Sequence, residues 1–257
     1  MKASASSSKK SLRPKGLAPA TFAAKADSNH RLILFDIDGT LVLTGGAGGR
    51  AMSRAFEDLF GIADAFRGIP MAGRTDTAIL SDALTAHRIA PTDPRITSYR
   101  DRYFQVLPGE IQNRPPDARH GVMPGVRELL DALTRRGDVY LALLTGNYEI
   151  SARMKLEYFD LWRYFVCGAF GDEAPERNGL FGVARERLAA RGGSRVSAER
   201  AVVVGDTPYD IAVAIAAGAR SIGVATGSHS VAALQAAGAD RVFEDLSDTD
   251  AVLQALA

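Results

Sequence analysis

Short apolar runs recur along this chain, and each stops at a polar or turn-forming residue. Residues 32–35 are followed by Asp36, residues 139–144 by Thr145, and residues 201–204 by Gly205 and Asp206. Further runs lie at 166–170, 221–224 and, more weakly, 241–243. A brief run without polar alternation suits a strand buried on both faces of a parallel sheet. Stretches of helical character separate the runs, at 124–136, 150–159, 182–191 and 209–217. Strand alternating with helix predicts right-handed crossovers and an α/β fold with a doubly wound parallel sheet. Such sheets bind ligands beyond the carboxyl ends of their strands, so the polar residue after each run is a site candidate.

One interval breaks the alternation. Residues 46–116 carry no strong strand signal but three helical stretches, near 50–60, 75–87 and 94–107. The glycine-rich run 45–49 and the Pro115, Pro116 pair bracket them; glycines soften a linker and prolines stop helices. This predicts a helical cap domain inserted through a two-stranded hinge into a core formed by residues 31–45 and 117–257. The insertion follows the first strand's loop, which puts the cap over the candidate site.

Residues 1–30 differ in composition. They are rich in Ser and Ala, carry Lys2, Lys9, Lys10, Arg13, Lys15 and Lys25 against Asp27, and show no periodicity. A disordered basic tail is expected. A basic, Ser-rich start also fits an organelle import segment, although it holds one arginine only. The remaining chain, out of 257 residues with 46% hydrophobic, can bury a core without disulfides or a structural metal. With 31 basic residues against 30 acidic ones, there is no field for nucleic acid or an anionic membrane. A lone cysteine, Cys167, rules out an internal disulfide or a cysteine zinc cluster and favours a reducing compartment. No apolar run reaches the roughly 18 residues of a membrane span. A cytoplasmic location is expected.

Three strings carry candidate chemistry. In FDIDGTLV, residues 35–42, Asp36 and Asp38 flank one residue at a strand end, so both side chains can face the site. Carboxylates that close repel unless a cation or a shared proton compensates. A single Asp-Gly is by itself a common turn. In LLTGN, Thr145 precedes Gly146 and Asn147; a hydroxyl and turn amides at a helix start make an anion site, though the tripeptide alone also serves as a helix cap. In VVVGDTPYDI, Asp206 follows a strand and Asp210 comes four residues later. Four acids gathered there suggest a hard divalent cation, Mg²⁺, on oxygen ligands. Asp210 alone also reads as an ordinary first-turn helix acid.

These strings, in this order and each at a strand end, resemble the haloacid dehalogenase superfamily, in its helical-cap, phosphoglycolate-phosphatase-like branch. The resemblance implies a phosphatase acting on a small phosphorylated metabolite. Asp36 would be the nucleophile that becomes an aspartyl-phosphate, and Asp38 the general acid and base. Thr145 would hold a phosphoryl oxygen, with the loop amides of Gly146 and Asn147. Mg²⁺ would lie on the Asp36 carboxylate, the Asp38 carbonyl and the Asp206 carboxylate, with Asp210 as a further ligand or orienting a bound water. The family also places a basic residue, usually Lys, between the second and last motifs. No Lys lies between Lys155 and Asp206. Arg177, just ahead of the 182–191 stretch, is the candidate, against the alternative of a surface arginine; Lys155 is the reserve, its helical spacing equally suited to a solvated face.

In the cap, MAGRTD at 71–76 offers Arg74 as a specificity residue for an acidic substrate, or as an exposed arginine without a role. A dehalogenase would not need Asp38, and a phosphonate hydrolase of this superfamily uses a cap lysine, whereas residues 46–116 contain none. A sugar-phosphate mutase shares every core motif and stays open. So does a non-catalytic binding protein that kept the fold, although all four acids and Thr145 are present. His87, His120 and His229 lack zinc-ligand spacing, and Trp162 and Cys167 read as packing residues.

Overall fold

The computed structural model describes residues 30–174 and 176–257; the predicted tail at 1–29 lies outside the described residues. The first strand, β1 (Arg31–Phe35), leads through the FDIDGT turn to β2 (Val42–Thr44). The helices α1 (Ala47–Phe60), α2 (Asp76–Ala86) and α3 (Arg95–Gln112) follow, and β3 (His120–Val122) returns antiparallel to β2. Thereafter strand and helix alternate: α4 (Val126–Thr134), β4 (Val139–Leu144), α5 (Glu149–Tyr158), β5 (Cys167–Ala169), α6 (Leu180–Ala190) and β6 (Ala201–Gly205). The chain closes with α7 (Pro208–Ala217), β7 (Arg220–Val224), α8 (Val231–Ala236), β8 (Arg241–Phe243) and α9 (Thr249–Leu256).

Six strands form one parallel sheet in the order β5–β4–β1–β6–β7–β8. Side chains alternate across it, as strand geometry requires. Ile33, Phe35, Leu141, Leu143, Val202 and Val204 face Leu129, Leu130 and Leu133 of α4 and Val252 and Leu256 of α9. Leu32, Leu34, Ala142, Leu144 and Val203 face α6 and α7 on the other side. Each fully buried leucine of α4 contributes roughly 2 kcal/mol relative to exposure. Both faces being covered explains why these strands read as continuous apolar runs.

The cap helices enclose a separate cluster built on Ala51, Met52, Phe56, Leu80, Tyr99, Tyr103 and Leu107. Two expectations are corrected here. The glycine-rich run is not all linker, because α1 begins at Ala47 and takes in Gly48 and Gly49. The third cap helix does not stop at Leu107 but continues through Pro108, which loses one hydrogen bond while the added turn buries Ile111. No helix among the described residues is long and apolar enough to cross a membrane.

Candidate active site

The register sets the site. Phe35 lies level with Leu143 of β4 and Val204 of β6, so the loops leaving these three strands converge. Asp36 is the first residue beyond β1, buried, with its amide donating to the Val204 carbonyl at 2.9 Å. The chain then turns at Gly39, φ +89°, where a Cβ would lie 2.4 Å from Asp206 Oδ2. Backbone angle and available space both demand glycine. Thr40 Oγ1 donates to Asp206 Oδ1 at 3.1 Å, tying the first loop to the third. Asp210 sits in the first turn of α7, where the amide and hydroxyl of Thr207 donate to its Oδ2 at 3.0 and 2.7 Å. Asp210 thereby caps a helix as well as facing the site.

Asp36, Asp206 and Asp210 each offer a buried carboxylate oxygen, all within 4.8 Å of one another. Burial, reinforced by the neighbouring acids, pushes the Asp36 and Asp206 carboxyls above the usual carboxylate range. The cation that answers them is Arg177, which is 7% exposed and not at the surface. Its Nη2 lies 2.8 Å from Asp36 Oδ1 and also pairs with Asp210 Oδ1. Burial opposes the guanidinium charge, but Asp210 and Asp36 outweigh it and hold the group above its ordinary range. Its Nε is buried without a partner. Three clustered acids on one guanidinium leave a negative excess. A set of hard oxygen donors without nitrogen or sulfur fits Mg²⁺.

Asp38 faces the other side of the site. Its Oδ2 accepts from Lys155 Nζ at 2.6 Å and from Asn147 Nδ2 at 2.8 Å. Lys155 Nζ also donates to Asn147 Oδ1 at 2.6 Å, and Asn147 Nδ2 donates to Thr145 Oγ1 at 2.9 Å. The solvated-face alternative for Lys155 is therefore corrected: the residue is 3% exposed. Lys155 lies with Ser151 and Ala152 on the inward stripe of α5, all three buried and in line with the buried Tyr148 ahead of the helix. Thus both basic candidates reach the site, each on a different catalytic candidate.

The cap loop before α2 closes over these groups. Arg74 Nη1 pairs with Asp82 Oδ2 at 2.6 Å and donates to the Pro70 carbonyl at 3.2 Å, so the residue has partners within the cap. The Asp76 amide donates to the Gly146 carbonyl at 2.7 Å, and the Tyr148 amide donates to Asp76 Oδ2 at 3.0 Å. Thr77 Oγ1 donates to the Gly171 carbonyl at 2.9 Å, and Arg177 Nη1 to the Gly73 carbonyl at 3.0 Å. A Cβ on Gly146 would come within 2.0 Å of the Arg74 carbonyl oxygen, and one on Gly171 within 1.9 Å of the Gly146 oxygen. Asp76, which sequence reasoning did not single out, is buried at this contact, and burial pushes its carboxyl up to about 6. Between cap and core remains a cavity of about 220 Å³, with Asp36, Asp38, Thr145 and Arg177 at its core end.

Buried acids at the ends of parallel strands, under a helical cap, form the candidate active site of an α/β protein. A family model described as haloacid dehalogenase-like hydrolase matches residues 30–218, and the chain belongs to that family. It is 32% identical over 235 residues to a protein of Dickeya dadantii named as a probable phosphatase, IndB, covering 88% of this chain and 94% of that one. It is 30% identical over 224 residues to the phosphoglycolate phosphatase of Rhodospirillum rubrum, covering 84% and 88%. A hydrolase structure from Pseudomonas syringae superposes with a TM-score of 0.65 at 21% identity, over 89% of this chain and all of that one, and shows the same fold.

Proposed function

We propose that this chain is a Mg²⁺-dependent phosphatase that hydrolyses a small phosphorylated metabolite through an aspartyl-phosphate on Asp36. The observation that carries this reading is the Arg177 bridge: one guanidinium orients the Asp36 carboxylate at 2.8 Å while anchored on Asp210. Both oxygens of Asp210 are engaged, by Arg177 and by Thr207, so its role here is to hold the arginine. Asp36 and Asp206 are the carboxylates that would hold the metal, together with the Asp38 carbonyl. Held there, Mg²⁺ would offset the repulsion between a carboxylate and an anionic phosphate.

Asp36 attacks phosphorus, and the bond to the leaving oxygen breaks as Asp38 gives that oxygen a proton. Asp38 then takes a proton from water, which attacks phosphorus and releases phosphate and the free Asp36 carboxylate. Lys155 and Asn147 fix the Asp38 carboxylate for both transfers. Thr145 Oγ accepts from Asn147, which directs its own hydrogen toward a phosphoryl oxygen. Relatives named phosphatase and phosphoglycolate phosphatase support the substrate class. A single buried thiol suits work in a reducing cytoplasm.

The test is hydrolysis of p-nitrophenyl phosphate with and without Mg²⁺, in the native chain and in Asp36→Asn. Turnover that needs the metal and falls by several orders of magnitude in the folded variant is expected. Full multiple-turnover activity in the variant would overturn the assignment.

A further inference from the structure

The core supplies the cavity with Asp36, Asp38, Thr145 and Arg177; the hinge and cap supply Leu43, Met52, Met71 and Ile79, with Arg74 and Asp76 beside them. Met52 and Ile79 are buried, a Cβ on Gly49 would touch Met71 Sδ at 3.4 Å, and one on Gly48 would lie 3.4 Å from Lys155 Nζ. Where the transferred phosphoryl group takes the core end, the remainder of the substrate meets thioether and aliphatic carbon.

Charge makes the same distinction. The cations lining the cavity are Arg74, Lys155 and Arg177, and all three are engaged. Arg177 holds Asp36 and Asp210, Lys155 holds Asp38, and Arg74 holds Asp82. Three acids, Asp36, Asp38 and Asp76, line the same cavity, so its own side chains leave no cation in excess. A second anionic group on the substrate would leave water for a largely apolar wall, with each of these cations already paired. A hydroxyl meets no such penalty, because the Thr44 and Tyr103 side chains also line the space. At about 220 Å³ the cavity is below the range that takes drug-sized ligands.

We infer that the substrate is the phosphate monoester of a small uncharged alcohol, one with an apolar face, and not a phosphorylated carboxylic acid or a bisphosphate. This rests on the phosphatase reading above and narrows it: a carboxylate-bearing ester such as phosphoglycolate, the substrate in the names of several relatives, is disfavoured here. Met52, Met71 and Ile79 are the specificity-determining side chains.

The experiment is steady-state kinetics of the full chain in Mg²⁺ on propyl phosphate, glycerol 3-phosphate and 2-phosphoglycolate, with p-nitrophenyl phosphate as reference. A kcat/KM at least ten-fold higher for the two uncharged leaving groups than for phosphoglycolate is expected. Met71→Lys, at a half-buried position that tolerates a long side chain, should narrow or invert that ratio by placing an unpaired cation in the cap end. Equal rates on the three substrates, or a preference for phosphoglycolate, with p-nitrophenyl phosphate still turned over, would overturn the inference while leaving the phosphatase reading standing. Failure to hydrolyse any of the four, p-nitrophenyl phosphate included, would overturn the phosphatase reading and this inference with it.

Discussion

Lys155 and Asp38 lie 117 residues apart in the chain and meet at 2.6 Å, so the candidate general acid is held from the helix that follows the phosphate loop. Arg177 serves Asp36 in the same manner from another loop. Two bases divide what one lysine is expected to do in this family, and kinetics can separate their roles.

Arg177→Ala should depress activity by about a thousand-fold whatever the leaving group, because it removes a charge-assisted contact at the transferred group. It should also destabilise the fold by about 3–5 kcal/mol, since Asp36 and Asp210 are left buried without their partner. Lys155→Ala should behave differently. Its loss falls on proton donation by Asp38, so an alkyl phosphate should suffer far more than p-nitrophenyl phosphate, whose leaving group departs without a proton. Comparable losses on both esters would remove Asp38 from the path that Lys155 serves.

Asp206→Ala should raise the Mg²⁺ concentration needed for half-maximal rate at least ten-fold. An independent readout is thermal: Mg²⁺ should raise the Tm of the native chain through binding to the folded state, and should do so much less in the variant. Equal shifts in both would place the metal elsewhere.

Asp76 gives a pH signature. Burial, aided by the Asp38 charge, pushes its carboxyl up to about 6 from 3.8, against the pull of Lys155 and the Tyr148 amide. A carboxyl raised in the folded state stabilises the fold below the unfolded value, and that contribution is lost as pH rises from about 4 to about 6. The loss is about 3 kcal/mol. Asp76→Asn keeps an acceptor for the Tyr148 amide but never ionises. Its Tm relative to the native chain should climb between pH 4.5 and 7.5, by roughly 5–10 °C. A pH-independent difference would show that the carboxyl titrates normally.

Gly146→Ala should impair closure more than folding. The new methyl would stand 2.0 Å from the Arg74 carbonyl, so the cap loop has to lift. A drop in kcat/KM, with the cap loop more readily cleaved by protease and the core helices retaining their circular dichroism, is expected. Native activity would mean that the loop adjusts without opening.

The sheet was legible because its central strands are buried on both faces and contain little else than apolar residues; β4 matches its run residue for residue, as the more exposed edge strand β8 matches its weaker one. The acids and Thr145 were legible because each immediately follows, or nearly follows, such a run. Lys155 was not, because α5 carries charges on several faces and only tertiary packing shows which one turns inward. The burial of Arg177 was equally hidden: EAPERNGL is a polar string, and its arginine becomes a core residue only because Asp36, from the end of β1, and Asp210, from the start of α7, meet it there. The terminal helices α8 and α9 escaped because short amphipathic segments give few periods to read. Gly48 and Gly49 misled because glycine more often marks a break than a helix that lets neighbours, here Lys155 and Met71, pack closely against it.

A few polar contacts join cap to core: the Asp76 amide on the Gly146 carbonyl, the Thr77 hydroxyl on the Gly171 carbonyl, and the Gly73 carbonyl under Arg177. Shutting the lid therefore asks little of the side chains that face the substrate. Met52, Met71 and Ile79 make none of these bonds, so chemical preference and mechanical fit rest on different residues. For anyone redesigning this enzyme, the cap is in effect a replaceable tool head on a fixed mount.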